Sequence, residues 1–197
     1  MMRADLSLIQ DWITPNSRVL DLGCGDGSFL AHLKRTKNIR DCGLEIDADN
    51  IRLCLEAGVN VIEQNMDKGL ANFETGSFDT VVLAQTLQAL DRPDEIVDEM
   101  LRVGNNCILT FPNFAYWRHR LSLLSHGRMP KSPQLPYEWY DTPNIHHCTI
   151  GDFDALCKSK RIKVLHRTVV DDRHLRSALA NFNPNFFGIN AIYHITR

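Results

Sequence analysis

The residues Asp21-Leu22-Gly23-Cys24-Gly25-Asp26-Gly27 combine glycine at every second position with acids on either side. Such glycines let the chain turn sharply and let a ligand meet the main chain directly. The spacing is GxGxG, with Ser28 standing where a dinucleotide fingerprint would set its last glycine. Asp21 precedes the first glycine by two residues. A carboxylate there suits a ligand bearing an ammonium group and repels a pyrophosphate. A second acid, Glu45, follows 24 residues after Asp21. That is close to the spacing at which a nucleotide-binding α/β fold offers a carboxylate to ribose hydroxyls. Asp47, just beyond, reads equally as a helix N-cap or a ligand contact.

This chemistry needs a strand to deliver the loop and a helix to receive it. Arg18 to Leu22 is apolar enough for a buried strand, and Ser28 to Lys34 places Phe29, Leu30 and Leu33 on one helical face. The alternation continues with strands expected at Ile39 to Ile46, Val59 to Ile62, Phe78 to Ala84 and Cys107 to Phe111. Helices are expected at Leu6 to Ile13, Ala48 to Ala57 and from Pro93 to Leu101. After a break, Thr149 with Asp152 forms a capping-box pattern for a helix to Lys158, and Lys163 to Val170 and Asn190 to Thr196 read as strands. Strand and helix in turn at this spacing predict βαβ units and a parallel sheet.

Composition narrows the function classes. The chain has 197 residues, 44% hydrophobic and 23% charged, and a formal charge of −2. That length suffices for one domain over residues 1–197, and that charge disfavours a dedicated nucleic-acid binder. No run approaches the roughly 20 apolar residues of a membrane span. Met1 to Asp11, carrying Arg3 and Asp5, lacks the apolar core of a signal peptide. Six cysteines without a CxxC pair or zinc spacing suit buried thiols in a cytoplasmic protein.

Residues 113–148, about 36 in all, interrupt the rhythm. A helix is expected at Phe114 to Leu124, followed by Pro130, Pro133, Pro136 and Pro143. A connection of this length is usually functional or disordered, and the aromatic content argues against disorder. Tyr137, Trp139, Tyr140 and Trp117 are residue types enriched in interface anchors, and Arg118, Arg120 and Arg128 could pair with carboxylates. Equally, Trp117 and Leu121 could pack the helix onto the sheet. His146-His147 has no acid or cysteine at ligand spacing and reads as a loop feature, with no metal expected.

Val19 to Gly27, Gly43-Leu44-Glu45-Ile46-Asp47 and Gly76 to Val82 together resemble the motifs of class I S-adenosylmethionine-dependent methyltransferases. The resemblance implies a Rossmann-like α/β/α sandwich, with a mostly parallel seven-stranded sheet and an antiparallel last strand. It implies a site for S-adenosylmethionine or S-adenosylhomocysteine along the loop from Gly23 through Cys24 and Gly25 to Gly27. In that site Asp21 and the loop hold the methionine moiety, Glu45 holds the ribose, Met66 and Asp67 meet the adenine, Gln85 lies by the sulfonium, and Ile46 is a further contact.

A narrower likeness joins Phe111-Pro112-Asn113-Phe114, Trp117-Arg118, Gly127-Arg128-Met129-Pro130 and Leu135 to His146. These segments resemble the MetW family of methionine-biosynthesis proteins. That resemblance implies a partner and activator of homoserine O-acyltransferase, an α/β-hydrolase-fold enzyme, in a hetero-oligomer. Trp117, Arg118, Tyr137, Trp139 and Tyr140 are the expected partner contacts. The alternative is a methyltransferase acting on a small molecule. Leu83-Ala84-Gln85-Thr86 is not the Asn/Asp-Pro-Pro-aromatic motif of amino-methylating enzymes, and Asn106-Cys107 is not a Pro-Cys nucleophile. No catalytic residue is assigned. A nicotinamide oxidoreductase is disfavoured by Asp21 and Ser28.

Overall fold

The computed structural model describes residues 4–133, 135–170, 180 and 182–197. Seven strands form one sheet in the order β3-β2-β1-β4-β5-β7-β6. They are β1 (Arg18–Leu22), β2 (Arg40–Glu45), β3 (Val61–Glu63), β4 (Phe78–Ala84), β5 (Gly104–Pro112), β6 (Lys163–Val170) and β7 (Asn190–Thr196). The first five pair in parallel, and β7 runs antiparallel to both β5 and β6. The expected fold class is therefore the one observed.

Strand alternation feeds two cores. On β1, Leu20 and Leu22 join β4's Val81 and Leu83 in one core, which is closed by α4 (Pro93–Val103) and α6 (Ile150–Ser159). Val19 joins Val82 of β4 and Ile108 of β5 in the other, closed by α1 (Ala4–Ile9), α2 (Ser28–Lys37) and α3 (Ala48–Glu56). Asp21 and Thr110 share the parity of Val19 and Ile108, so they extend that second face toward the carboxyl end of the sheet. Between β1 and β4 the strand order reverses direction. In open α/β sheets the crevice at such a point is where ligands bind.

The element bounds depart from expectation in places with physical causes. The first helix ends at Ile9 and tightens into a 3-10 turn, Gln10–Trp12. The third strand starts at Val61, because Val59 is occupied in closing α3, its N–H donating to the Cys54 carbonyl at 2.9 Å. The helix expected from Phe114 forms as α5 (Trp117–His126). Its start is delayed by Asn113, which is fully buried and holds the chain in a turn. A short helix unmarked in the sequence, α7 (Pro184–Phe187), precedes β7. The Thr149–Asp152 capping box is present at the head of α6. Among the described residues, no helix is long and apolar enough to cross a membrane.

Candidate functional site

The glycine loop leaves β1 and crosses the end of β2. Gly23 and Cys24 donate their N–H groups to the Leu44 carbonyl at 2.8 and 3.0 Å. Each glycine has a separate reason. All three hold positive φ, at 72°, 56° and 72° for Gly23, Gly25 and Gly27. A Cβ on Gly27 would come within 2.8 Å of the Cys54 sulfur, and one on Gly23 within 3.0 Å of the Thr86 hydroxyl. A Cβ on Gly25 would meet nothing within 4 Å. Two glycines therefore let protein pack on protein, and the middle one faces open space.

Glu45 is buried, and its carboxylate accepts three backbone N–H groups. Gly25 donates to Oε2 at 2.8 Å, and Ile46 and Asp47 donate to Oε1 at 2.8 and 3.0 Å. A carboxylate offers about four acceptor positions, so Glu45 fastens the loop through three of them. Asp21 is buried on the neighbouring strand. Asp47 turns out to be the N-cap of α3, accepting from Asn50 N–H at 2.9 Å. Ile46 is exposed beside it.

The other expected contacts border the same end of the sheet. Met66 and Asp67 lie in a 3-10 turn, Met66–Lys68, and Met66 reaches within 3.4 Å of where a Gly23 Cβ would stand. Asp67 Oδ1 accepts from Asp91 N–H at 2.9 Å, so one of its oxygens braces a neighbouring loop. Gln85 follows β4 with φ of +63°, a strained value for a non-glycine residue. Its side-chain amide donates to Thr110 Oγ1 at 3.2 Å, and its N–H donates to the same oxygen at 3.1 Å.

Burial pushes the Cys24 thiol far above its ordinary range, with Asp21 and Cys54 adding to the effect. The Cys54 thiol donates to the Gly25 carbonyl at 3.1 Å. These thiols serve as packing groups and loop supports.

Asn113 pins the base of the 113–148 excursion. Its side chain donates to the carbonyls of Asn185 and Gly188 at 3.1 and 2.8 Å and accepts from Ala115 and Ile150 N–H at 3.2 and 3.3 Å. Phe114 N–H donates to the Cys148 carbonyl at 3.0 Å, so the two ends of the excursion meet. His147 stacks on Phe114 with ring centroids 4.5 Å apart. Near the exit, His146 N–H donates to the Gln88 carbonyl at 2.9 Å. The segment from Gln85 to Asp91 thus borders the glycine loop on one side and the excursion on the other.

The outer surface of the excursion carries large apolar side chains among charged ones. Leu124, Trp139 and Tyr140 are 86%, 74% and 71% exposed, and Leu121, Met129 and Tyr137 are exposed as well. The helix does not pack through Leu121. It turns His119 inward, where its Nε2 meets Ser132 Oγ at 3.1 Å. Trp117 is half-buried and carries the Arg118 guanidinium over its ring at 5.4 Å.

With this geometry established, the chain matches the family described as "Methionine biosynthesis protein MetW" over residues 3–195. The chain belongs to the MetW family. A curated relative, the "Bifunctional methionine biosynthesis protein MetXA/MetW" of Rhodopirellula baltica, is 38% identical over 160 residues, covering 77% of this chain and 26% of that protein. The chain spans less than a third of the length of the curated relatives it matches. Among solved structures, an S-adenosylmethionine-dependent methyltransferase from Mesorhizobium loti superposes with a TM-score of 0.69 at 16% identity, covering 99% of this chain and 98% of that one. The [4+2]-cyclase SpnF superposes at 0.68, also at 16% identity, covering 98% and 80%. At such identities the likeness establishes the methyltransferase-like fold of this MetW-family chain and leaves its chemistry to the site itself.

Two buried polar groups at this end of the sheet went unread in the sequence of this MetW-family chain. Thr110 is fully buried at the end of β5, and its hydroxyl donates to Asp5 of α1 at 3.1 Å. A lone threonine closing the apolar run Cys107 to Leu109 was a signal for the first. Asp5 sits in a short helix with no periodic mark of its own.

Proposed function

We propose that this methionine biosynthesis protein binds S-adenosylmethionine or S-adenosylhomocysteine and serves as the partner and activator of a homoserine O-acyltransferase in the cytoplasm. The observation that carries the reading is the pairing of two surfaces through one short segment. The open space at Gly25 and the buried carboxylates of Asp21 and Glu45 suit an adenosyl amino acid. The exposed apolar surface from Leu121 to Tyr140 suits a protein. Residues 85–91 adjoin both. The relative whose name joins MetXA and MetW in a single chain supports a partner of the MetXA kind.

In this reading Glu45 keeps the loop formed and offers its remaining acceptor position to a ribose hydroxyl. Asp21 and the main chain around Gly23 and Gly25 take the amino-acid end, while Met66 and Asp67 flank the base beside Ile46. S-adenosylmethionine, when bound, supplies a methyl group on a cationic sulfur. The activator role asks only that the ligand be held. Trp117, Arg118, Tyr137, Trp139 and Tyr140 form the partner face.

The test is purification of the acyltransferase with and without this chain, with homoserine acylation measured in each. A complex with raised acylation is expected. An acyltransferase equally active alone sinks the activator role. Methyl transfer to a small acceptor, with no complex formed, favours the methyltransferase alternative.

A further inference from the structure

The glycine loop rests on α3 through two sulfurs. Cys24 Sγ, in the loop between Gly23 and Gly25, lies 3.7 Å from Cys54 Sγ in α3. Sulfurs at that distance are in contact, and a disulfide asks them to close to about 2.05 Å. Cys54 is fully buried, whereas Cys24 keeps 8% of its surface, so of the two residues it is the one that solvent reaches. The Cys54 thiol also tethers the loop, donating to the Gly25 carbonyl at 3.1 Å. Packing around the pair is tight. A Cβ on Gly27 would stand 2.8 Å from Cys54 Sγ, and one on Gly43 would stand 2.5 Å from Cys24 Sγ. A change at either sulfur is therefore felt by the loop backbone.

We infer that Cys24 and Cys54 are a site of reversible oxidation, at which hydrogen peroxide joins them in a disulfide that loosens the ligand loop. The bond itself needs only the two thiols. Its effect on a ligand rests on the adenosyl reading above and adds regulation to it. The Cys24 sulfur attacks a peroxide oxygen, the O–O bond breaks, and a sulfenic acid and water form. The Cys54 sulfur then attacks the Cys24 sulfur, and the S–O bond breaks with loss of a second water. Two thiols give up two electrons and two protons, and peroxide becomes two waters. Burial raises the pKa of both thiols, so the first step is slow. The second is fast, because its partner already stands beside it. Disulfides of cytoplasmic proteins are typically transient ones of this kind. Closing the bond removes the Cys54 S–H, so the Gly25 carbonyl loses its donor. It also draws Cys24 toward α3, against the hydrogen bond from Gly25 N–H to Glu45 Oε2.

The experiment treats the full chain with hydrogen peroxide, blocks remaining thiols with N-ethylmaleimide and digests with trypsin without reduction. Cleavage after Arg18, Lys34, Arg52 and Lys68 puts Cys24 and Cys54 on separate peptides, with Cys42 on neither. Mass spectrometry should find those two peptides joined. Blocked Cys54, or Cys24 carried on to sulfinic acid, overturns the site without any variant. Calorimetry with S-adenosylhomocysteine then reads the loop. Oxidised wild type should bind about tenfold more weakly, the scale of one lost hydrogen bond to a charged group. A dithiol should restore the affinity, which it does not do for an oxidised Met66. Cys54→Ser keeps a donor for the Gly25 carbonyl and cannot form the bond, so peroxide should change its affinity less than about twofold. Equal losses in variant and wild type, or a joined peptide with unchanged affinity, overturn the effect on the loop. Untreated wild type that binds no S-adenosylhomocysteine overturns the adenosyl reading and the effect on its ligand, while the digest decides the disulfide separately.

Discussion

The carboxyl end of the sheet and the outer face of the excursion invert each other's solvation. At the first, polar groups that prefer water are buried: Asp5, Asp21, Glu45, Gln88 and Thr110. At the second, apolar groups that prefer burial are exposed: Leu121, Leu124, Met129, Tyr137, Trp139 and Tyr140. Hydrogen bonds within the fold, such as the three N–H groups on Glu45, offset the cost of the first. In the proposed reading an adenosyl ligand adds to those bonds, and a protein partner covers the second. The two regions also differ in how they are held. The glycine loop is fixed by hydrogen bonds at nearly every residue, whereas the excursion is fixed at its base and left free of the sheet along its outer edge.

Substitutions can separate these regions by which property they change. The largest effect is expected where the excursion is anchored. Asn113→Ala removes a side chain that satisfies four backbone groups. It should cost about 3 kcal/mol of stability, measured by urea unfolding. A loss below about 1 kcal/mol would mean that water replaces these bonds and that the base is not rigid.

Glu45→Ala should weaken adenosyl-ligand binding by roughly 1.5–3 kcal/mol, the scale of hydrogen bonds to a charged group. Because Glu45 also holds Gly25 N–H, Ile46 N–H and Asp47 N–H, thermal melting should register a loss as well. Calorimetry showing unchanged affinity would remove Glu45 from the ligand's contacts and leave it a loop fastener.

Trp139→Ala should reverse that pattern. At 74% exposure it carries little of the fold, so melting should stay unchanged while partner affinity falls by about 2 kcal/mol, as for an interface anchor. Equal activation of the acyltransferase by variant and wild type would move the partner face elsewhere.

The smallest effect concerns pH. Burial lowers the pKa of both His119 and His194 from 6.5. The unfolded chain then binds protons that the folded chain does not. Stability is full above about 6.5 and declines as pH falls below it toward the lowered folded values. His119→Gln should flatten part of that slope in melting curves taken from pH 7.5 to 5.5. An unaltered slope would assign it to His147, whose pKa burial also lowers, to His194 and to the carboxylates.

Much of this was legible in the sequence because the sheet is buried on both faces. Apolar runs such as Phe78 to Ala84 announce such strands directly, and the glycine loop was marked by its spacing. Thr149 and Asp152 announced their capping box. What escaped reading depended on contacts distant in sequence. Glu45 was legible as an acid but not as the acceptor for Gly25, because that bond exists only once β1 and β2 are paired. The start of α5 was misplaced for the same reason, since Asn113 finds its partners 72 and 75 residues away. Leu121 shows a third limit: its spacing from Trp117 and Leu124 fits an apolar stripe, and spacing cannot tell whether the sheet or another protein covers it.

The meeting of Phe114 with Cys148 at the base of the excursion has a consequence for how such a chain can diversify. A segment whose two ends meet, and whose exit is tied again by His146 N–H to the Gln88 carbonyl, can change its length between those ties at a small entropic cost. Insertions, deletions and whole replacements between those ends leave the spacing of β5, α6 and the glycine loop untouched. The outer segment can therefore be exchanged like a cassette while the sheet and its loops keep their spacing.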